Sequence, residues 1–152
     1  MSNNLIIEKL SERNFDSFVG LIVKLADYEK LKAPDNKAKK RLKKDGLSKN
    51  PKFEAFLGRI NNEYVSYIIY FMAYSSFRAF PTLFLEDFFV LQEYRKKGIG
   101  QKMFDFCVKQ AKTMKCGRID LCILDWNKPS INFFEKNNAK HLSWLFYRRE
   151  LK

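Results

Sequence analysis

One continuous run, Leu85 to Gln101 (LEDFFVLQEYRKKGIGQ), limits what this chain can fold into more than any other. The stretch Thr82–Val90 has the apolar and aromatic content of a strand and is interrupted by the carboxylates Glu86 and Asp87. A basic turn follows, Arg95-Lys96-Lys97-Gly98-Ile99-Gly100. A helix is then expected from Gly98 to about Met114, with Ile99, Met103, Phe106, Cys107 and Ala111 as its buried stripe. A helix start carries unpaired N–H groups and the positive end of the helix dipole, so it attracts phosphate oxygens. Gly98 and Gly100 let such a ligand approach the backbone, and Arg95, Lys96 and Lys97 add charge. The spacing is neither the three-glycine dinucleotide fingerprint nor a P-loop, which ends in Gly-Lys-Ser/Thr. By itself R-x-x-G-x-G is more often a glycine-capped turn among exposed basic side chains, so the flanking elements have to decide.

Upstream, Asn4 to Lys9 suits a first strand. Ser11 reads as the N-cap of an amphipathic helix reaching about Tyr28, with Phe15, Phe18, Val19, Ile22, Leu25 and Ala26 at helical spacing. Pro34-Asp35 begins a second, basic helix that Gly46 ends. Lys52–Ile60 and Tyr64–Tyr74 read as strands joined by Asn61-Asn62, a pair that tolerates left-handed backbone. Downstream, Arg118–Leu124 is a strand. Asn127-Lys128-Pro129 opens a short helix that Asn137-Asn138 closes, and His141–Leu151 is a last strand. Hairpins mixed with two crossover helices predict an α/β sheet.

The 152 residues suit one domain, 1–152, and 46% hydrophobic content with fifteen Phe supplies a substantial core. No apolar run approaches the roughly 20 residues a bilayer requires. The start, MSNNLIIEKL, lacks a signal-peptide pattern, so a cytoplasmic protein without a membrane partner is expected. Cys107, Cys116 and Cys122 match no metal spacing, and with a single histidine no metal is expected. The net charge of +12 is uneven, because residues 30–49 hold nine Lys/Arg against Asp35 and Asp45. Such a segment is either a solvated helix face or an attractor of anions.

The strand, basic turn and helix, followed by a second strand and helix, resemble the GNAT acetyltransferases, whose pyrophosphate loop reads R/Q-x-x-G-x-G/A after a strand. The diamine (spermidine/spermine) acetyltransferase branch is the closest in pattern. It carries blocks like Leu85-Glu-Asp-Phe-Phe-Val90, Tyr94-Arg95 with Gly98-Ile99-Gly100, and Trp126-Asn127-x-Pro129-Ser130-Ile131-Asn132-Phe133. Leu25-Ala26-x-Tyr28-Glu29 is similar too, and the resemblance covers nearly the whole chain. It implies the GNAT fold, a mixed and mostly antiparallel central sheet with splayed fourth and fifth strands, flanked by helices. It also implies acetyl-CoA as cofactor, with its pantetheine arm in the splay, and a homodimer. The cofactor contacts it assigns are Phe88, Phe89 and Val90 along the arm, with the Val90 N–H facing the thioester carbonyl. Arg95, Lys96, Lys97, Gly98, Ile99, Gly100 and Gln101 surround the pyrophosphate, and Asn127, Lys128, Pro129, Ser130 and Phe134 sit beside the sulfur end. Alternation along a strand places one of Phe88 and Phe89 in the core.

Amine acetylation needs a neutral amine. A lysine-like amine is free base in only about one part in 2,500 at pH 7, a deficit of roughly 4.6 kcal/mol. The resemblance gives Glu86 the role of base through a water, with Asp87 on the other side of the strand, and puts Tyr28, Glu29, Glu86 and Asp87 near the substrate. Where the family has a tyrosine acid this chain has Phe134, and Tyr70, Tyr74 and Tyr147 are the candidate replacements. Lys30, Lys32 and Pro34 follow Tyr28-Glu29, where polyamine-selective members have acids, so a monoamine, an amino-acid side chain or a protein amine is as plausible as spermidine. Two other readings stay open: a CoA-binding regulatory protein of the same fold, and a nucleic-acid binder using residues 30–49. The latter lacks any RRM, zinc-finger or zipper signature, and nucleic acid is not the expected partner.

Overall fold

The computed structural model describes residues 4–152 and divides into two compact units, one ending at Cys122 and one from Ile123 to Lys152. The larger unit is built on one five-stranded sheet. In chain order its elements are β1 (Ile6–Lys9), α1 (Phe15–Glu29), α2 (Asn36–Gly46), β2 (Glu54–Ile60), β3 (Glu63–Ser75), β4 (Phe80–Val90), a 3-10 turn (Gln92–Tyr94), α3 (Ile99–Thr113) and β5 (Arg118–Leu121). The strand order follows the chain, antiparallel from β1 to β4 and parallel between β4 and β5. A parallel pair requires a crossover, and α3 supplies it. The expected α/β class, with a mixed and mostly antiparallel sheet between helices, is therefore what the chain forms.

The helices lie on opposite faces of the sheet. Tyr67 of β3 meets Phe18 of α1 edge-on at 5.6 Å, while its neighbour Ile68 pairs with Phe56, which packs on Phe106 of α3 at 4.7 Å. The α3 stripe is Ile99, Met103, Phe104, Cys107 and Ala111, with Phe104 buried where Phe106 was expected. Capping follows chemistry closely at α2, where the Asp35 carboxylate accepts the Ala38 N–H at 2.8 Å. No residue of α2 is buried, so its basic side chains are a solvated face. At α1 the cap is Asn14 rather than Ser11. The buried Asn14 accepts the Ser11 N–H and donates to the Lys9 carbonyl, tying the turn to β1. Asn61, at φ 53°, makes the expected hairpin turn.

Two irregularities of β4 matter for function. Ile69 pairs with Asp87 and Tyr70 with Leu85, so Glu86 is the extra residue of a β-bulge. On the other edge the pairing with β5 ends at Leu85↔Leu121, although β4 continues to Val90. The strand expected over 118–124 thus stops at Leu121, and fourth and fifth strands part where the splay was expected.

In the smaller unit, α4 (Lys128–Lys136) starts at Asn127, whose side chain accepts the Ser130 N–H, and Asn138 at φ 65° follows its end. The strand expected at His141–Leu151 is not formed. Those residues have no regular structure, and Trp144, Leu145, Phe146, Tyr147 and Leu151 are exposed. Strand propensity measures fit to a pleated, half-buried surface, and without a backbone partner it produces no strand. Among the described residues no helix is long and apolar enough to cross a membrane, and no group of three or more His, Cys, Asp or Glu is arranged to hold a metal.

The first three strands are pinned at Glu8 of β1, which accepts hydrogen bonds from Tyr64 of β3 (2.7 Å), Arg59 of β2 (2.8 Å) and Arg13 (3.0 Å). The bonds from Tyr64 and Arg59 hold its carboxyl down at about 2. A carboxylate whose pKa is lower folded than unfolded stabilises above the unfolded value and loses that contribution as pH falls toward the folded one. Glu8→Gln is expected to lower the Tm near neutral pH, with the gap to the parent closing as pH drops from about 4 to 2. Circular dichroism melts across that range check it.

Candidate active site

The site begins at the free end of β4. Beyond the pair Ser66↔Val90, the Leu91 N–H bonds the Val65 carbonyl at 2.8 Å. In an antiparallel ladder this makes Ser66 and Val90 a non-hydrogen-bonded pair, so the N–H and C=O of Val90 point away from β3. The backbone of Phe88, two residues earlier, points the same way. β5 has already ended, so an extended ligand with amide groups can add to this edge as a strand does. The side chains divide as alternation requires. Phe89 packs at 6.3 Å on Tyr67 on the α1 side, and Phe88 at 6.3 Å on Phe104 of α3.

The chain then turns through Lys96 (φ 59°) and Gly98 (φ 80°), both left-handed. Gly98 is the N-cap of α3 and places no side-chain acceptor over the first turn. A Cβ built on Gly98 would meet no atom within 4 Å, so the space in front of the helix start is open. Ile99 is buried and offers only its backbone, Gln101 bonds Asp105 at 2.8 Å, and the Lys97 ammonium lies 5.4 Å from the Tyr94 ring. The donor set fits a pyrophosphate: backbone amides at a helix N-terminus, an open cradle, and lysines beside it. Arg95 is different. Its Nε donates to the Val90 carbonyl at 2.8 Å, and its guanidinium lies over Tyr28 (4.6 Å) and Phe89 (5.5 Å). Arg95 and Tyr28 therefore fasten the end of α1 to the end of β4.

On the α1 side of the sheet lies a cavity of about 560 Å³ lined by Glu86 and Asp87, by Ile69 and Phe71 of β3, and by Ile22, Pro34, Leu42 and Phe53. Lys32 and Lys52 line it as well. The expectation that Asp87 faces the other side of the strand from Glu86 is corrected here. The bulge interrupts the alternation and brings both carboxylates to one cavity. Asp87 accepts a hydrogen bond from Tyr67 at 3.1 Å. Burial pushes its carboxyl up to about 6, against the Tyr67 bond and with help from the charges of Glu86 and Glu29. Burial raises the Glu29 carboxyl too. Glu29 thus acts on Asp87 by its charge, while neither Tyr28 nor Glu29 lines the cavity. Tyr67 and Lys52 were not singled out by sequence, because each reaches the site only through the packing of distant segments, whereas Lys32 was, as a cation after Tyr28-Glu29.

Within the smaller unit, Asn127 is buried at the start of α4, with Lys128, Pro129 and Ser130 in its first turn. Phe134 is only 4% exposed and meets Phe133 edge-on at 5.1 Å. Of the tyrosines considered as replacement acids, Tyr70 is buried, stacked on Phe56 under α3 and directed at Gln110. Tyr74 and Tyr147 are exposed.

The sequence profile of the acetyltransferase (GNAT) family matches residues 18–139. A thialysine N-epsilon-acetyltransferase of Mus musculus is 29% identical over 156 aligned positions, covering 95% of this chain and 91% of its own. A spermidine/spermine N(1)-acetyltransferase-like protein of Homo sapiens is 30% identical over 118, covering 70% of this chain and 17% of its own. The crystal structure of an aminoglycoside N-acetyltransferase in complex with CoA superimposes with a TM-score of 0.79 at 14% identity, over 99% of this chain and 97% of that one. With a strand edge left open beside a glycine-opened helix start, and with these relatives, the chain belongs to the acetyltransferase (GNAT) family, on the side of its diamine acetyltransferase branch.

Proposed function

We propose that residues 1–152 act as one acetyltransferase domain that uses acetyl-CoA to acetylate a primary amine by direct transfer in a ternary complex. The observation that carries this reading lies within a single strand: Phe88 to Val90 leave an edge open to an added strand, and Glu86 and Asp87 open into a cavity beside it. Acetyl-CoA, when bound, supplies an acetyl thioester whose carbonyl carbon a neutral amine can attack. Lys96 to Gln101 hold the pyrophosphate, and the Val90 N–H donates a hydrogen bond where negative charge develops. Glu86 and Asp87 receive the substrate ammonium. A carboxyl at about 6 takes a proton more readily than an ordinary one near 3.9, by roughly 3 kcal/mol. Glu86, the more exposed of the pair, acts as the base through a water, and Asp87 beside it is a second acceptor. Asn127 to Ser130 and Phe134 sit at the sulfur end by family resemblance.

Phe134 favours a second reading, a CoA-binding regulatory protein with weak turnover, because phenylalanine has no proton to give a departing thiolate. A thiol with pKa near 8.5 leaves tolerably without one, so the catalytic reading stands first. The homodimer is part of the proposal as well. The exposed apolar residues between Trp144 and Leu151 suit a second copy of the chain, and sedimentation would show a dimer.

Four outcomes follow from this reading. Acetyl-CoA incubated with an amine panel should yield acetylated amine by mass and free thiol in equal amount, whereas binding without thiol release would favour the regulator. Gly98→Val should fold but lose CoA affinity in calorimetry, by tenfold or more, because its side chain enters the open cradle and is strained at φ 80°. Glu86→Gln should slow the reaction near neutral pH and recover partly in alkali, where free amine is abundant; an equal loss at every pH would refute the base role. Asp87→Asn should separate stability from activity. A raised carboxyl favours the folded state at low pH and loses that advantage as pH rises from about 4 to 6. The Asn variant should therefore melt higher than its parent at pH 8, with the difference fading toward pH 4, while its turnover falls.

A further inference from the structure

Tyr67 lies within β3, 0% exposed, and its hydroxyl donates to Oδ2 of Asp87 at 3.1 Å. We propose that Tyr67 is a positioning residue for amine deprotonation: it fixes Asp87 as a carboxylate in the cavity, ready to accept a proton from the substrate beside Glu86. The inference rests on the acetyltransferase reading above and adds to it a residue that acts through another.

Packing holds the ring to that contact. Phe18 of α1 meets it edge-on at 5.6 Å, Phe89 of β4 lies 6.3 Å from it, and its backbone is paired with Leu57 and Phe89 on either side. Tyr67 does not line the cavity, so what it does there it does through Asp87. Its own proton stays in place, since burial and the Asp87 charge push the phenol well above its ordinary range. It is therefore a donor across the whole pH range of an assay, and a hydrogen bond to the charged carboxylate favours that form. The other acids around Asp87 work the opposite way. Glu86 precedes it on β4, Glu29 ends α1, and both disfavour a further negative charge, as burial does. Lys32 and Lys52 line the same cavity, but Lys32 interacts with Asp35 and Lys52 pairs with Asp45 at 3.2 Å. Against burial and two like charges stands the Tyr67 bond, and the balance leaves the carboxyl at about 6. An acceptor serves best when it is ionised at the working pH and still basic enough to take a proton. The step it serves is one proton transfer: an N–H bond of the ammonium breaks, an O–H bond forms on the carboxylate, and the nitrogen lone pair is freed for attack.

Tyr67→Phe tests this, because it removes one oxygen and keeps the ring on which Phe18 and Phe89 pack. Without the bond the Asp87 carboxyl should titrate about one pH unit higher, read directly from its NMR chemical shift in the full chain. Tyr70→Phe, the same change on the α3 face of β3, should leave that titration where it was. Turnover is then followed against pH with spermidine or L-lysine, whichever the parent acetylates faster. Near pH 6 the variant should be about fivefold slower, with about a tenth of its Asp87 ionised against about half in the parent, and the deficit should vanish by about pH 8. In an Asp87→Asn background, Tyr67→Phe should not change the pH profile at all. A carboxyl titration that does not move, or a loss of turnover equal at every pH, would overturn the inference while acetylation itself stood. If the parent acetylates neither these amines nor any other in the panel, the acetyltransferase reading fails and takes the role of Tyr67 with it, whatever the titration shows.

Discussion

The structure depends on one extra residue in β4. Because Glu86 has no partner opposite, the alternation of the strand is broken there, and two adjacent carboxylates reach the same side of the sheet. At the same point β5 ends, and the outer edge of β4 is left to whatever can bond to it. A regular strand would have turned one carboxylate toward α3. The bulge at Glu86 and the end of the β5 pairing at Leu85 therefore fall one residue apart.

The surroundings keep that irregular segment in place. Tyr67 holds Asp87 from β3, and Phe18 of α1 packs against the ring of Tyr67, so the buried carboxyl rests on the core. Beyond the bulge, Arg95 closes over the Val90 carbonyl, Phe89 and Tyr28, which fixes the last turn of α1 and the start of the basic turn as a unit. The cost of this arrangement is the ionisation of Asp87 in a poorly hydrated place. A site that must take a proton from an ammonium benefits from that same cost, because a carboxyl pushed upward is the better acceptor.

Much of this was legible in sequence where the cause is local. The Asp35 cap, the Asn61 turn and the glycine-opened start of α3 each follow from a few neighbouring residues and formed as expected, and the α3 stripe did so at every position but one, Phe104 taking the place of Phe106. The division of Phe88 and Phe89 between two faces follows from alternation alone. What sequence missed depends on partners far along the chain. The adjacent acids in an apolar run were the visible trace of the bulge, but only the pairing with Ile69 and Tyr70 shows which residue is extra. Lys52 read as the first residue of a strand, and only the folded chain brings it to the cavity that Lys32, Glu86 and Asp87 also line. His141–Leu151 has a strand's composition and forms no strand, and Ser11 lost the cap to Asn14, which found two backbone partners instead of one.

The central claim is that the end of β4 and the start of α3 together take acetyl-CoA. Amide hydrogen exchange with and without CoA measures this most directly. The account predicts new protection at the backbone of Phe88 to Val90 and of Lys96 to Gln101, where the ligand would bond as a strand and as an anion. Protection confined to α2, or none at β4 while CoA is bound, would contradict it.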